Sequence, residues 1–199
     1  MSALASLEVE SLTCIRGGRL VFRDVSLRAV AGTALSIEGA NGAGKTSLLR
    51  MLAGFLAPAS GTIRFGAADG EERGKFVGWL GHQDGVKPQL TPRETLSFFA
   101  TLHGADTNVD GALQSVGLAR AHDLPCQYLS AGQKKRLALA RLKTSGRPLW
   151  LLDEPLAALD AQGKTLLRDS VIAHCAGGGI AIAATHEPLG LDCARLVLA

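Results

Sequence analysis

No stretch of this 199-residue chain stays apolar for long enough to cross a bilayer: runs such as "PLWLL" and "GIAIAA" fall far short of the roughly 20 residues that a spanning helix needs. The opening "MSALASLEVE" carries acid where a secretion signal carries base, so the protein is expected in the cytosol. Cysteine is scarce and scattered. Cys14, Cys126, Cys175 and Cys193 show neither CxxC nor Cys/His spacing, which argues against a zinc site or a disulfide framework and leaves reduced thiols with packing roles. An excess of one charge is missing too: a net charge of +3 does not imply nucleic acid, whose backbone is held by concentrated basic stripes. The one dense basic run, "QKKR" at 133–136, reads by itself as a solvated helix face. Repeats and low-complexity segments are lacking, and "GAADGEERGK" at 66–75 reads as a polar hairpin or loop.

What is present is enough apolar material, 47 % of residues, for one sizeable core with room for a subdomain. Strands are expected near 7–15, 20–28, 33–38, 62–65, 76–81, 148–152, 179–184 and 195–198, and helices near 44–54, 92–103, 108–117, 130–145 and 160–175. "ALSI", "LWLL" and "IAIAA" are continuous apolar runs, the pattern of strands buried on both faces of a mainly parallel sheet covered by helices. From 84 to 147 the strand signal vanishes. A helical subdomain spanning 84–147 is therefore expected within a single α/β domain, 1–199, whose core is 1–83 and 148–199.

Directly after one of those runs comes "GANGAGKTS", residues 39–47, which fits the phosphate-loop spacing G-x-x-x-x-G-K-[ST] without a mismatch. The glycines let successive backbone N–H groups of Gly39, Ala40, Asn41, Gly42, Ala43 and Gly44 curl around an anion, and the helix that follows points its positive end at the same place. Lys45 then reaches the β- and γ-phosphates of a nucleotide, Thr46 offers a hydroxyl to Mg²⁺, and Ser47 completes the first turn. A plain strand-to-helix turn would need neither the fixed spacing nor the lysine.

The second run, "PLWLLDEP", ends in two adjacent acids at the carboxyl end of a buried strand, where open α/β sheets gather ligands. Asp153 suits the Mg²⁺ shell, and Glu154 suits a general base for an attacking water. The third run, "GIAIAATH", ends in His186, placed to sense a γ-phosphate. Taken singly, the acids could open a turn before Pro155 and the histidine could be an ordinary polar residue at a sheet edge. Their company favours the site.

In "LSAGQKKRLALARL", residues 129–142, Ser130 and Gln133 form the capping-box spacing of a helix start. With the phosphate loop, "LLDEP" and "ATH" in this order, the stretch resembles the signature of the ATP-binding-cassette ATPases, normally LSGGQ, and the resemblance runs from Leu7 to Ala199. It implies a phosphate-loop NTPase fold with a mainly parallel core sheet, an antiparallel β portion and an inserted helical subdomain, with ATP and Mg²⁺ as ligands. It implies that Gln83 in "LGHQD" is the glutamine that touches Mg²⁺ or water, and that Asp160 in "LAALDAQG" lies across a dimer interface. In the family two such chains sandwich two ATPs head to tail, so Ser130, Gly132 and Gln133 of one would face Lys45 of the other. Two departures stand out: Ala131 replaces a glycine of the signature, and Ile15 and Arg16 stand where most relatives stack an aromatic on adenine, a task the Arg16 guanidinium plane can take over.

Three functional readings follow: a transporter motor docked on a separate membrane protein, a soluble cassette ATPase, and a nucleotide-binding module without turnover. The second predicts tandem cassettes, a coiled-coil insertion or a strongly basic surface, and Glu154 and His186 weigh against the third. "EGANGAGKTSLLRMLAG", "GHQDGVKPQLTPRETLSFFATLHG" and "PLWLLDEPLAALDAQGKTLL" are similar to the ATP-binding subunit of the haem exporter of cytochrome c maturation. That resemblance implies a homodimer of ATPase subunits, no nucleic acid, and a peripheral position on the cytoplasmic side of a bacterial inner membrane. The membrane partner would be the multi-span hydrophobic subunit of that exporter. In "QDGVKPQLTPRETLSFFATLHG", Thr91, Pro92 and Glu94 start a helix, and Val86 and Leu90 are expected as exposed anchors for the partner while at least one of Phe98 and Phe99 fills the core.

Overall fold

The computed structural model describes residues 4–66, 73–81, 85–104 and 107–198. Two sheets carry the architecture. Strands β1 (Ser6–Arg16), β2 (Arg19–Val30) and β4 (Ser60–Phe65) form an antiparallel sheet in the order β2-β1-β4. Strands β3 (Ala34–Gly39), β5 (Val77–Leu80), β6 (Leu149–Asp153), β7 (Ile180–Ala184) and β8 (Ala194–Leu198) form a five-stranded parallel sheet in the order β5-β6-β7-β3-β8. The fold is thus the mixed α/β class expected, and all eight strands fall where the apolar runs put them.

Every residue of β6 and β7 is buried because both faces of the parallel sheet are covered. Alternation of side chains divides each strand between two cores. Leu149, Leu151, Ile180 and Ile182 join α1 (Lys45–Leu52) and the antiparallel sheet in one core. Trp150, Leu152, Ala181 and Ala183 face α5 (Ala131–Thr144) and α6 (Ala161–Ala176) in the other. In that second core His174 stacks flat on Trp150, ring centroids 3.9 Å apart, and its Nε2 is shared between the carbonyls of Pro148 and Ile180 at 3.1 and 3.2 Å. Burial outweighs those two hydrogen bonds and pushes the imidazole below its ordinary value.

Between β5 and β6 the described residues hold helices and turns only: α3 (Pro92–Leu102), α4 (Val109–Ser115), two single 3₁₀ turns at Ala119–Ala121 and Cys126–Tyr128, and α5. They close around a third cluster of Leu96, Leu113, Val116, Leu118, Cys126, Leu129, Leu137 and Ala140. Three expectations need correction. The 66–75 stretch is not all loop, because Arg73–Phe76 forms the short helix α2 with Phe76 buried against Phe65; residues 67–72 lie outside the described ones. Val86 and Leu90 are half-buried rather than exposed, Val86 being packed on the third cluster. Nor does either of Phe98 and Phe99 fill the core as expected: Phe98 and Leu102, one helical turn apart, are 57 % and 63 % exposed and Phe99 is half-buried, since Leu96 and Ala100 already fill the inward face of α3.

Candidate functional site

Strand register decides what meets at the carboxyl end of the sheet. Ile37 of β3 and Asp153 of β6 are both level with Ala184 of β7. Two bonds continue the ladder past the strand ends, Glu154 N–H to Ala184 O at 2.9 Å and Thr185 N–H to Ile37 O at 3.2 Å. The residues that follow, the 39–44 loop, Glu154 and His186, are therefore delivered to one edge.

The loop after β3 turns on glycines at positive φ, Gly39 (146°), Gly42 (89°) and Gly44 (98°), and Gly44 is the N-cap of α1 without a side-chain cap. Among the described residues no side chain caps this end by a hydrogen bond, so its N–H groups and helix dipole remain available for an anion. Lys45 is 7 % exposed, and its ammonium folds back over the loop to donate to Gly39 O at 2.7 Å and Ala40 O at 3.1 Å. Thr46 Oγ1 donates to Asp153 Oδ1 at 2.8 Å, joining two hard oxygen donors from elements 107 residues apart. That pair fits Mg²⁺, which takes one or two protein oxygens and fills its remaining octahedral positions with phosphate oxygens and water.

One residue further on, His186 Nδ1 donates to Glu154 Oε2 at 2.8 Å. Glu154 holds a left-handed φ of 47°, a conformation that costs a side-chain-bearing residue roughly 1–2 kcal/mol. The turn aims its carboxylate along the sheet edge at His186. The histidine follows Thr185, which is buried and locked by Thr185 Oγ1 to Glu187 O at 2.8 Å and Glu187 N–H to Thr185 Oγ1 at 3.1 Å.

The remaining sequence-identified residues are placed as follows. Ser130 and Gln133 do form the capping box of α5, Gln133 N–H to Ser130 Oγ at 3.2 Å and Ser130 N–H to Gln133 Oε1 at 2.8 Å. Gly132 packs close to the Ala158 carbonyl, and Asp160 caps α6 by accepting from Gly163 N–H at 2.8 Å. Helix α5 packs on β5, α3, α4 and α6, and the capping bonds of Ser130 and Gln133 stay within its own start rather than reaching the phosphate loop. Arg16 lies on the β1–β2 hairpin opposite Arg19, next to the half-exposed pair Ile15 and Leu20. The next residues of β2, Val21 and Phe22, press against Gly44, which sets the hairpin beside the phosphate loop. Gln83 lies outside the described residues.

Sequence reasoning missed three residues around this edge. Lys135 is buried in α5 and donates to Gly81 O at 3.0 Å, just ahead of Gln83. Lys164 and Glu187 form an ion pair at 2.6 Å between the first turn of α6 and the residue after His186. A charged residue in "KK", "GKT" or "THE" carries no sequence sign of a partner so far along the chain.

Comparison with known proteins identifies a family and a fold. Residues 22–157 match the family model described as ABC transporter. The chain is 50 % identical over 190 residues to the cytochrome c biogenesis ATP-binding export protein CcmA of Rhodopseudomonas palustris (strain BisB5), covering 93 % of this chain and 94 % of that one. It is 48 % identical over 192 residues to the protein of the same name from Nitrobacter winogradskyi, covering 96 % of each. Among solved structures, an ABC transporter ATP-binding protein from Pyrococcus furiosus superposes with a TM-score of 0.86 over 98 % of both chains at 23 % identity, a likeness of fold.

Proposed function

This chain belongs to the ABC transporter family, and on that premise we propose that it is the ATP-hydrolysing subunit of an exporter serving cytochrome c biogenesis, either moving haem or releasing a haem-loaded chaperone. The near full-length likeness to proteins named for that process supports the cellular role. The observation that carries the chemistry is the meeting, at one sheet edge, of the Thr46–Asp153 pair and the Glu154–His186 pair, each at 2.8 Å.

ATP phosphates enter the 39–46 loop, and Lys45 exchanges its two loop carbonyls for the β- and γ-phosphate oxygens. Thr46 and Asp153, with Gln83 as a further ligand, would hold Mg²⁺, which would supply charge neutralisation to the phosphates when bound. Glu154 takes the proton of the attacking water, and the His186 bond fixes its carboxylate for that task. Arg16 and the hairpin pair Ile15 and Leu20 flank the base. Ser130, Gly132 and Gln133 of a second copy complete each site across a head-to-tail homodimer, with Asp160 at the interface. Under this reading the helices within 84–147 act as the partner-facing subdomain, and the dimer rests on the exporter's multi-span membrane subunit at the cytoplasmic face of the inner membrane.

Purified Glu154→Gln is expected to bind ATP, accumulate as a nucleotide-bound dimer and lose at least about 100-fold in turnover, the lower range for a general base. Lys45→Ala should lose binding itself. Parent-like turnover by Glu154→Gln would overturn the assignment of the base, and intact c-type cytochromes in a strain lacking the gene would overturn the cellular role.

A further inference from the structure

The Glu154–His186 contact belongs to a closed circuit. From Glu154 the backbone runs through 155–160 to the start of α6, where Lys164 N–H bonds to Asp160 O at 2.9 Å. From Lys164 the circuit crosses by the 2.6 Å ion pair to Glu187, returns one residue to His186, and closes by the 2.8 Å bond to Glu154. We propose that Lys164 and Glu187 are positioning residues for hydrolysis, a tether that makes His186 follow the start of α6 and so couples the Glu154 carboxylate to the 156–160 segment.

Four observations carry this. The backbone on either side of His186 is tied to the buried Thr185, which bonds β3 and, through its hydroxyl, the N–H and carbonyl of Glu187, whereas the His186 side chain is exposed and the Glu187 carboxylate is taken by Lys164. Among the described residues the imidazole has one close anchor, Glu154, with the other Glu187 carboxylate oxygen 4.0 Å from its Nε2. Lys164 keeps the Glu187 carboxyl below its usual range, so the ion pair stands at neutral pH. Finally, 154–160 is a segment of unusual backbone, with left-handed φ at Glu154 (47°) and Ala158 (63°) and a cap at Asp160. Two turn bonds bridge it, Ala157 N–H to Glu154 O at 3.2 Å and Leu159 N–H to Leu156 O at 3.3 Å, and its far end is where Lys164 is attached.

Both partners of the ion pair are partly exposed, with 40 % and 43 % of their side-chain surface open, so the pair contributes little to stability. Its contribution is to geometry, and small displacements of a catalytic group cost rate steeply. The inference rests on the reading of Glu154 and His186 as the hydrolytic pair, which the parent and Glu154→Gln test separately. Given an active parent and an inactive Glu154→Gln, Lys164→Ala and Glu187→Ala should each lower kcat about fivefold at unchanged KM for ATP, with thermal midpoints within about 2 °C of the parent. The swapped double variant Lys164→Glu with Glu187→Lys should regain kcat to within about twofold. Independently of turnover, the side-chain ¹⁵N resonances of His186 should move in Lys164→Ala and return in the swapped protein. Parent-like kcat in either single variant, failure of the swap at an unchanged midpoint, or a fall of kcat that merely tracks a large loss of stability would each overturn the tether.

Discussion

Replacing Gly39 with alanine separates two reasons for a glycine at the head of the phosphate loop. The first is conformational: at φ 146° a side-chain-bearing residue is strained, at roughly 1–3 kcal/mol. The second is packing: a methyl group there would overlap the carbonyl oxygen of Leu198, the register partner of Gly39 on β8, with Leu198 C and Ala43 Cβ both at 3.3 Å. The overlapping atoms are backbone of a neighbouring strand, so nothing can rotate away, and overpacking of this kind adds roughly 1–3 kcal/mol. The sum, about 4 kcal/mol, corresponds for a chain of this length to a fall in thermal midpoint of about 8–16 °C. Gly42 provides the control, because it lies at φ 89° with nothing within 4 Å of an added methyl. Gly42→Ala should therefore show the strain alone, about 2 kcal/mol and about 4–8 °C. Differential scanning calorimetry of the two variants without nucleotide measures the difference. Equal midpoints would refute the packing half of the reasoning and leave Gly39 as a purely conformational and phosphate-facing glycine.

Further outcomes follow from other parts of the fold. Phe98→Asp with Leu102→Asp should leave ATPase activity and thermal midpoint near the parent, since both side chains are solvent-facing, yet release the protein from membranes in cell fractionation; continued sedimentation with the membrane would exclude this face of α3 as a docking site. His174 should make stability pH-dependent on the acid side. Its pKa is lower in the folded than in the unfolded chain, where it is near 6.5, so the unfolded state binds the extra proton and stability, complete above that value, declines as pH falls below it. His174→Gln, read by chemical denaturation between about pH 7 and 5, should flatten that decline, and an unchanged slope would place its origin elsewhere.

The strands were legible because both-face burial writes itself as unbroken apolar sequence, and β3, β6 and β7 each end in the motif that their register then brings together. The capping boxes of α3 and α5 were legible for the same local reason: Thr91 with Glu94 and Ser130 with Gln133 lie within one turn of each other. What escaped was whatever depends on a distant partner or on a choice between faces. "LSFFATL" offers more apolar residues than a single helix face can bury, and only the packing of α3 on α4 and α5 decides that Leu96 and Ala100 go in while Phe98 and Leu102 stay out. Likewise the left-handed turn at Glu154 has no signature in a residue type that rarely adopts it.

The two small residues inside "SAGQ" are under different constraints, although a motif treats them alike. Ala131 is exposed at the start of α5, while a methyl group on Gly132 would stand 3.0 Å from the Ala158 carbonyl of the same chain. Substitution at 132 is thus policed by the fold itself, in every molecule and before any assembly, whereas 131 answers only to whatever approaches the helix from outside. In a mutational scan scored by protein abundance, larger side chains should be depleted at 132 and pass unnoticed at 131. If the proposed head-to-tail dimer forms, position 131 should acquire a penalty of its own when the scan is scored by growth on respiratory substrates, and the gap between the two scans at that one residue would give the tightness of that interface.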